Sequence, residues 1–154
     1  MFEPSLDVWY AWLGVAVASS VAVGVVLGFP TATPPAAGPV ADTVDDVATS
    51  PHDATQTVEL PGRELKLDAH GLSLRNDGGT SHATFAYGPV TPVGNGSLEA
   101  VLRGETPEAV FADRTAFRTA VGRAQQRNAT WRPIPDDLVI RRVTWGDFDA
   151  TLVG

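Results

Sequence analysis

Apolar and polar positions divide the chain into three zones. From Val8 to Phe29 no residue is charged. At about 1.5 Å per residue, a helix of that length reaches the roughly 30 Å of a bilayer's hydrocarbon layer. The pattern predicts a transmembrane helix over residues 8–29, behind a short N-terminal tail of residues 1–7. Trp9, Tyr10 and Trp12 fall at one boundary of the span and Phe29 at the other, where rings prefer to lie. Ala16, Ser20, Gly24 and Gly28 recur four apart, as do Gly14, Ala18 and Ala22. Such small-residue faces let a second helix approach closely in lipid. The first of them is the expected helix-packing face, through which the chain would form a homo-oligomer.

The second zone, residues 30–52, is a proline-rich spacer and short stalk. Pro30, Pro34, Pro35 and Pro39 favour extended backbone and cannot continue a helix. Val40, Val44 and Val47 then recur at helical spacing with Asp42, Asp45 and Asp46 on other sides, predicting a short stalk helix over Val40–Ala48.

Residues 53–154 are long enough for one small domain with its own core. Thr57–Leu60 is a strand candidate. Glu64–Arg75 alternates through Leu65, Leu67, Leu72 and Leu74, with Gly71 at the change of phase as in a bend or bulge. Asn76-Asp77-Gly78-Gly79 signals a turn into a strand over Thr80–Tyr87, giving a hairpin. Pro89 and Pro92 restrict Val90–Val93 to a sheet edge. Ser97 is the expected cap of a helix over Leu98–Arg103 that Gly104 stops, and Thr106-Pro107 starts a second short one. Asp113 caps a third, running to about Arg127, with Ala116, Phe117, Ala120, Val121 and Ala124 as its apolar stripe. Leu138–Trp145 and Phe148–Val153 form a second hairpin around Gly146-Asp147. The expected fold class is α+β: a single N-terminal transmembrane helix, a proline-rich spacer, and a small domain of antiparallel β-hairpins with a helical segment packed on one face.

The flanks of the apolar run favour a retained anchor over a cleaved signal. No Lys or Arg precedes Arg63, and Ala32, Ala36, Ala37 and Ala41 each have proline at the third position before the bond that would be cut. There is no cysteine, which removes lipoprotein processing, disulfides, thiolate metal sites and cysteine nucleophiles. Without basic flanks the positive-inside rule does not apply. Orientation rests on the two sequons Asn95-Gly96-Ser97 and Asn128-Ala129-Thr130, which are modified only outside the cytoplasm. Asn95 and Asn128 are therefore candidate glycosylation sites, and the expected topology has the N-terminus inside and the C-terminal domain outside the cell membrane.

The formal net charge is -7, aspartate outnumbers glutamate, and Lys66 is the only lysine. An acidic, lysine-poor surface stays hydrated in high salt, the pattern associated with halophiles. The same charge excludes nucleic acid as a partner, because a basic patch is needed to replace phosphate counterions. Arginines concentrate between Arg103 and Arg132, but Glu105, Glu108 and Asp113 interleave with them as on a solvated helix face.

Candidate chemistry is sparse. His70 and His82 could meet across the Asn76–Gly79 hairpin and, with Asp68, hold zinc; their spacing matches no metal motif, and His52 stands apart. Asp147 and Asp149 flank a turn and could act as paired carboxylates, although aspartate is common in such turns. No nucleophile elbow, phosphate loop or dinucleotide fingerprint is present. No catalytic residue, cofactor or metal ligand is assigned, and the chain reads as a non-enzyme. Trp131 and Trp145, with Phe148 and Tyr87, are the largest apolar residues of the domain and are expected in its core.

The opening Met1–Trp12, the Arg75–Thr80 turn and Trp145-Gly146-Asp147 resemble an uncharacterised haloarchaeal family of small single-span proteins. The resemblance covers nearly the whole chain and implies a pilin-like layout and association with pilus or secretion machinery. The chain departs from a prepilin in lacking a basic-Gly processing site before its apolar run. The leading expectation is a membrane-anchored extracytoplasmic interaction protein of the cell envelope, with the lipid bilayer and other envelope proteins as partners. The alternatives are a ligand- or sugar-binding module using its aromatic residues and a metal-assisted hydrolase using His70, His82 and a nearby aspartate.

Overall fold

The computed structural model describes residues 32–154, together with Leu13. The chain divides into two units, Met1–Ala32 and Thr33–Gly154, and the second carries the architecture that follows. Apart from Leu13, the expected span over residues 8–29 lies outside the described residues, and so do Ala16, Ser20, Gly24 and Gly28. Among the described residues no helix is long and apolar enough to cross a membrane. The expected fold class is therefore corrected: what is described is an α+β domain built on two sheets.

The elements in order are α1 (Gly38–Ala48), β1 (Ala54–Val58), β2 (Glu64–Leu67), β3 (Gly71–Asn76), β4 (Gly79–Thr84), β5 (Thr91–Pro92), α2 (Ser97–Leu102), α3 (Pro107–Val110), α4 (Arg114–Gln125), β6 (Arg132–Pro133), β7 (Leu138–Trp145) and β8 (Phe148–Val153). The first sheet has the order β1-β7-β8-β5 and the second β4-β3-β2-β6. All pairs are antiparallel except β5 with β8. The expected arrangement of antiparallel hairpins with a helical segment on one face is thus replaced by two sheets, one of them mixed.

β7 organises both cores. Successive strand residues point to opposite faces, so Leu138 and Ile140 turn one way while Val143 and Trp145 turn the other. Leu138, Ile140 and Val153 join the first core, with Leu65, Leu67, Leu72 and Leu74 of the second sheet and Val40, Val44 and Val47 of α1. Val143, Ala150 and Leu152 join the second, with Leu98 and Val101 of α2 and Phe117, Val121 and Ala124 of α4. The register places Ile140 opposite Val153 and Val143 opposite Ala150, so directly paired residues share a core.

The helix expected as a stalk forms, and its periodicity is correct, but it packs into the domain. Val44 is fully buried, and Val40, Ala41 and Val47 nearly so. A fully buried valine contributes roughly 1.5–3 kcal/mol of transfer free energy, so three of them match a large share of a typical net stability of about 5–15 kcal/mol. The chain before α1 is also held against the domain. Pro35 and Ala37 are buried, and the Asn76 side-chain amide donates to the Thr33 carbonyl at 3.0 Å.

Adjacent arginines fix helices on opposite faces of β7. Arg142 donates to the carbonyl of Ala48, the last residue of α1, and to the Asp149 carboxylate at 3.0 Å. Arg141 donates to the carbonyls of Val101, near the end of α2, and Glu105. Cations at helix C-termini are favoured by the helix dipole and by the carbonyls left without intrahelical donors.

Two local expectations change. Glu64–Arg75 is a tight hairpin of β2 and β3, because the Asp68 carboxylate accepts from the backbone N–H groups of His70 and Gly71 at 2.8 and 2.9 Å and reverses the chain there. Gly96, at φ +109°, takes the capping position before α2, and Ser97 is the first helical residue. Asp113 does cap α4, accepting from the Ala116 N–H at 2.8 Å. The C-terminal hairpin forms over the predicted residues, with Gly146 at φ +69° in its turn.

Val44→Ala is expected to lower the unfolding free energy of the full-length chain by about 2 kcal/mol. The exposed Asp46→Ala should stay within roughly 0.5 kcal/mol of wild type. Denaturant titration distinguishes them, and equal stability for both would show that α1 stands free.

Candidate functional site

The described domain carries an open groove of about 550 Å³ where the loop after β4 faces α4 and β8. Tyr87, 58 % exposed, stands on the loop, and Phe148 opens β8 across from it. The loop is held by Asp45 of α1, whose carboxylate oxygens accept from the N–H groups of Ala86 at 2.9 Å and Tyr87 at 3.0 Å. On the other wall, α4 presents Arg118, Gly122 and Gln125, spaced by four and three residues on one helix face. Gln125 ties the helix to the loop strand by donating to the Thr91 hydroxyl at 3.2 Å.

Phe148 is fixed from behind by Phe117, edge-on with ring centroids 5.7 Å apart. The Arg118 guanidinium lies 5.3 Å from the centre of its ring. A Cβ added at Gly122 would meet nothing within 4 Å, so this glycine leaves the groove floor open. The groove therefore offers two aromatic surfaces, a cation and a carboxylate rim at Asp149. Asp149 is already engaged by Arg142. The arrangement suits stacking and polar recognition, with no nucleophile beside a base.

The sequence-level candidates separate in space. Asp147 pairs with Arg114 and Asp149 with Arg142, so the two carboxylates face different partners and form no acid/base pair. The Arg114 hydrogen bond, followed by a backbone hydrogen bond and the arginine's charge, lowers the Asp147 pKa below its ordinary 3.8 and keeps it ionised. Asp68 is occupied by its own turn. The His82 ring nitrogen Nδ1 lies 3.0 Å from the Ser73 hydroxyl, and His52 and His70 are exposed. Among the described residues no group of three or more His, Asp or Glu is placed to hold a metal ion.

The aromatic residues divide. Trp145 packs against the second core, 6.0 Å from Phe117. Trp131 belongs to neither core and lies 4.5 Å from the Arg75 guanidinium, which also meets Glu64. Phe148 likewise packs against the second core while lining the groove, whereas Tyr87, expected inside, is exposed there. Asn95, between β5 and α2, and Asn128, between α4 and β6, are both exposed. Arg118, Gly122 and Gln125 were not singled out by sequence, although their spacing beside the apolar stripe of α4 places them on one face.

Fold and site together define a small α+β domain of two sheets bearing an open, aromatic-walled groove. The chain belongs to a family of unknown function, DUF7283, whose model matches residues 3–143. No curated protein and no solved structure matches the chain.

The lowered pKa of Asp147 gives a pH signature. A depressed carboxylate contributes stability that is fully present above its unfolded value, near 3.8, and is lost as pH falls through the folded value. Wild type is expected to melt above Asp147→Asn at neutral pH, with the gap closing only below about pH 3.8. A gap of the same size when Arg114 is also replaced by Gln would show that the Arg114 pair is not its source.

Proposed function

We propose that the protein is a non-enzymatic, membrane-associated interaction protein of a haloarchaeal cell envelope, whose domain contacts other envelope components outside the cytoplasm. The observation that carries this reading is the groove itself, an open surface lined by the exposed Tyr87 together with Phe148 and Arg118. Exposed aromatic residues beside an arginine are typical anchors of protein contacts. The uncharged run over residues 8–29 supports membrane association, and the two exposed sequon asparagines support an extracytoplasmic domain. The acidic, lysine-poor composition supports a high-salt setting. A place beside a pilus-like or secretion assembly follows from the resemblance of the chain's opening and turns.

A saccharide ligand is the second reading. Tyr87 and Phe148 would stack on sugar faces while Arg118 and Asp149 meet hydroxyls at the edge.

Two substitutions address the groove without touching either core: Tyr87→Ala removes an anchor, and Gly122→Phe fills the open floor. The full-length chain, taken from native membranes in non-ionic detergent, is expected to co-purify with envelope proteins, and both variants to lose them at unchanged melting temperature. Wild type recovered alone contradicts the envelope-interaction reading. Wild type recovered alone, yet stabilised by a neutral oligosaccharide through Tyr87, selects the saccharide.

A further inference from the structure

A second, smaller cavity of about 170 Å³ lies between the C-terminal end of α4, the Val93-Gly94 segment and β6, and Arg127, Asn128, Thr130 and Arg132 supply its polar lining. No Asp or Glu lines it, in a chain whose net charge is -7. The arginines elsewhere are mostly committed. Arg63, Arg75, Arg103, Arg114 and Arg142 pair with carboxylates, and Arg141 binds two carbonyls. Among the described residues, Arg118, Arg123, Arg127 and Arg132 enter no ion pair and no side-chain hydrogen bond, and of these Arg127 and Arg132 line this cavity.

Arg132 is half-buried. Removal from water lowers its pKa, the mark of a cation whose lost hydration nothing nearby replaces. On its other side lies the larger cavity holding Asp136 and Asp137, yet neither carboxylate pairs with it. The Arg127 guanidinium lies beside the Gly94 backbone, its Nη1 atom 3.5 Å from where a Cβ would stand. Leaving a partly desolvated guanidinium unpaired is costly, and two arginines line one cavity without acidic side chains, the residue type whose forked donors suit carboxylate and phosphate groups.

We propose that Arg127 and Arg132 form a binding site for one oxyanion, a phosphate or carboxylate group. The cavity is smaller than the roughly 300–1,000 Å³ of whole-ligand pockets, so it takes a single charged group, either a free ion or the terminal group of a larger molecule. The site is separate from the aromatic groove and does not depend on the function proposed for it.

The test is titration of the full-length chain in non-ionic detergent with inorganic phosphate and, separately, acetate, at constant ionic strength set with chloride and read by backbone amide chemical shifts. Saturable shifts at Gly94, Asn128 and Thr130 with either ion are expected. Arg127→Gln and Arg132→Gln should each weaken binding about tenfold or more, while Arg123→Gln, in the last turn of α4 but outside the cavity, should not. Arg127 is exposed, so its variant serves even if the Arg132 change unfolds the chain. Linear, non-saturating shifts with both ions, or equal weakening by Arg123→Gln, would overturn the site. Phosphate binding without acetate binding assigns a tetrahedral ligand, and the reverse a carboxylate.

Discussion

β7 is buried from both sides, and most of the domain follows from that. Its even residues Leu138 and Ile140 bind α1 and the second sheet, while the odd residues Val143 and Trp145 bind the helices α2 and α4. A strand with one solvated face would need only one apolar set; this one needs two, and it carries a charged pair, Arg141 and Arg142, where the two sets give way. Because neighbouring residues point in opposite directions, each arginine reaches the carbonyl end of a different helix. A register slip of one residue would exchange the cores and strand both guanidiniums.

Charge is used unevenly. Arg63 and Asp77 sit 2.7 Å apart with side chains 71 % and 65 % exposed. Such pairs contribute about 0–1 kcal/mol, and less in salt. The Arg142 side chain is 22 % exposed and joins α1, β7 and β8 through a carbonyl and a carboxylate. In a domain that is acidic overall, Arg141 and Arg142 act as internal fasteners while the other paired arginines meet carboxylates at the surface. The same economy makes the uncommitted Arg127 and Arg132 conspicuous, and it leaves the groove walls to Tyr87, Phe148 and Arg118.

Local signals in the sequence were legible where local physics decides the outcome. Asp113 as a cap, Pro107 at the start of α3, and the C-terminal hairpin around Gly146-Asp147 all depend on neighbours within a few residues. The Glu64–Arg75 stretch was harder, since a bend at Gly71 and a hairpin closed by Asp68 share one alternation pattern; only the Asp68 hydrogen bonds separate them. The valines of α1 declared a helix but not its partner, which lies across more than 90 residues at Arg142. The groove was hidden for the same reason. Tyr87 reads as core from size alone, but Asp45, distant in sequence, holds its loop with the ring exposed, while Phe148 packs against the second core as its size suggests.

Native-state hydrogen exchange on the full-length chain tests the central claim most directly, because it reports which amides open together. If β7 is sandwiched between two cores and α1 forms part of one, the amides of Val44 and Val47 exchange only through the same large-scale opening that releases Ile140 and Val143. Rapid exchange at Val44 and Val47 while Ile140 and Val143 remain protected would contradict it.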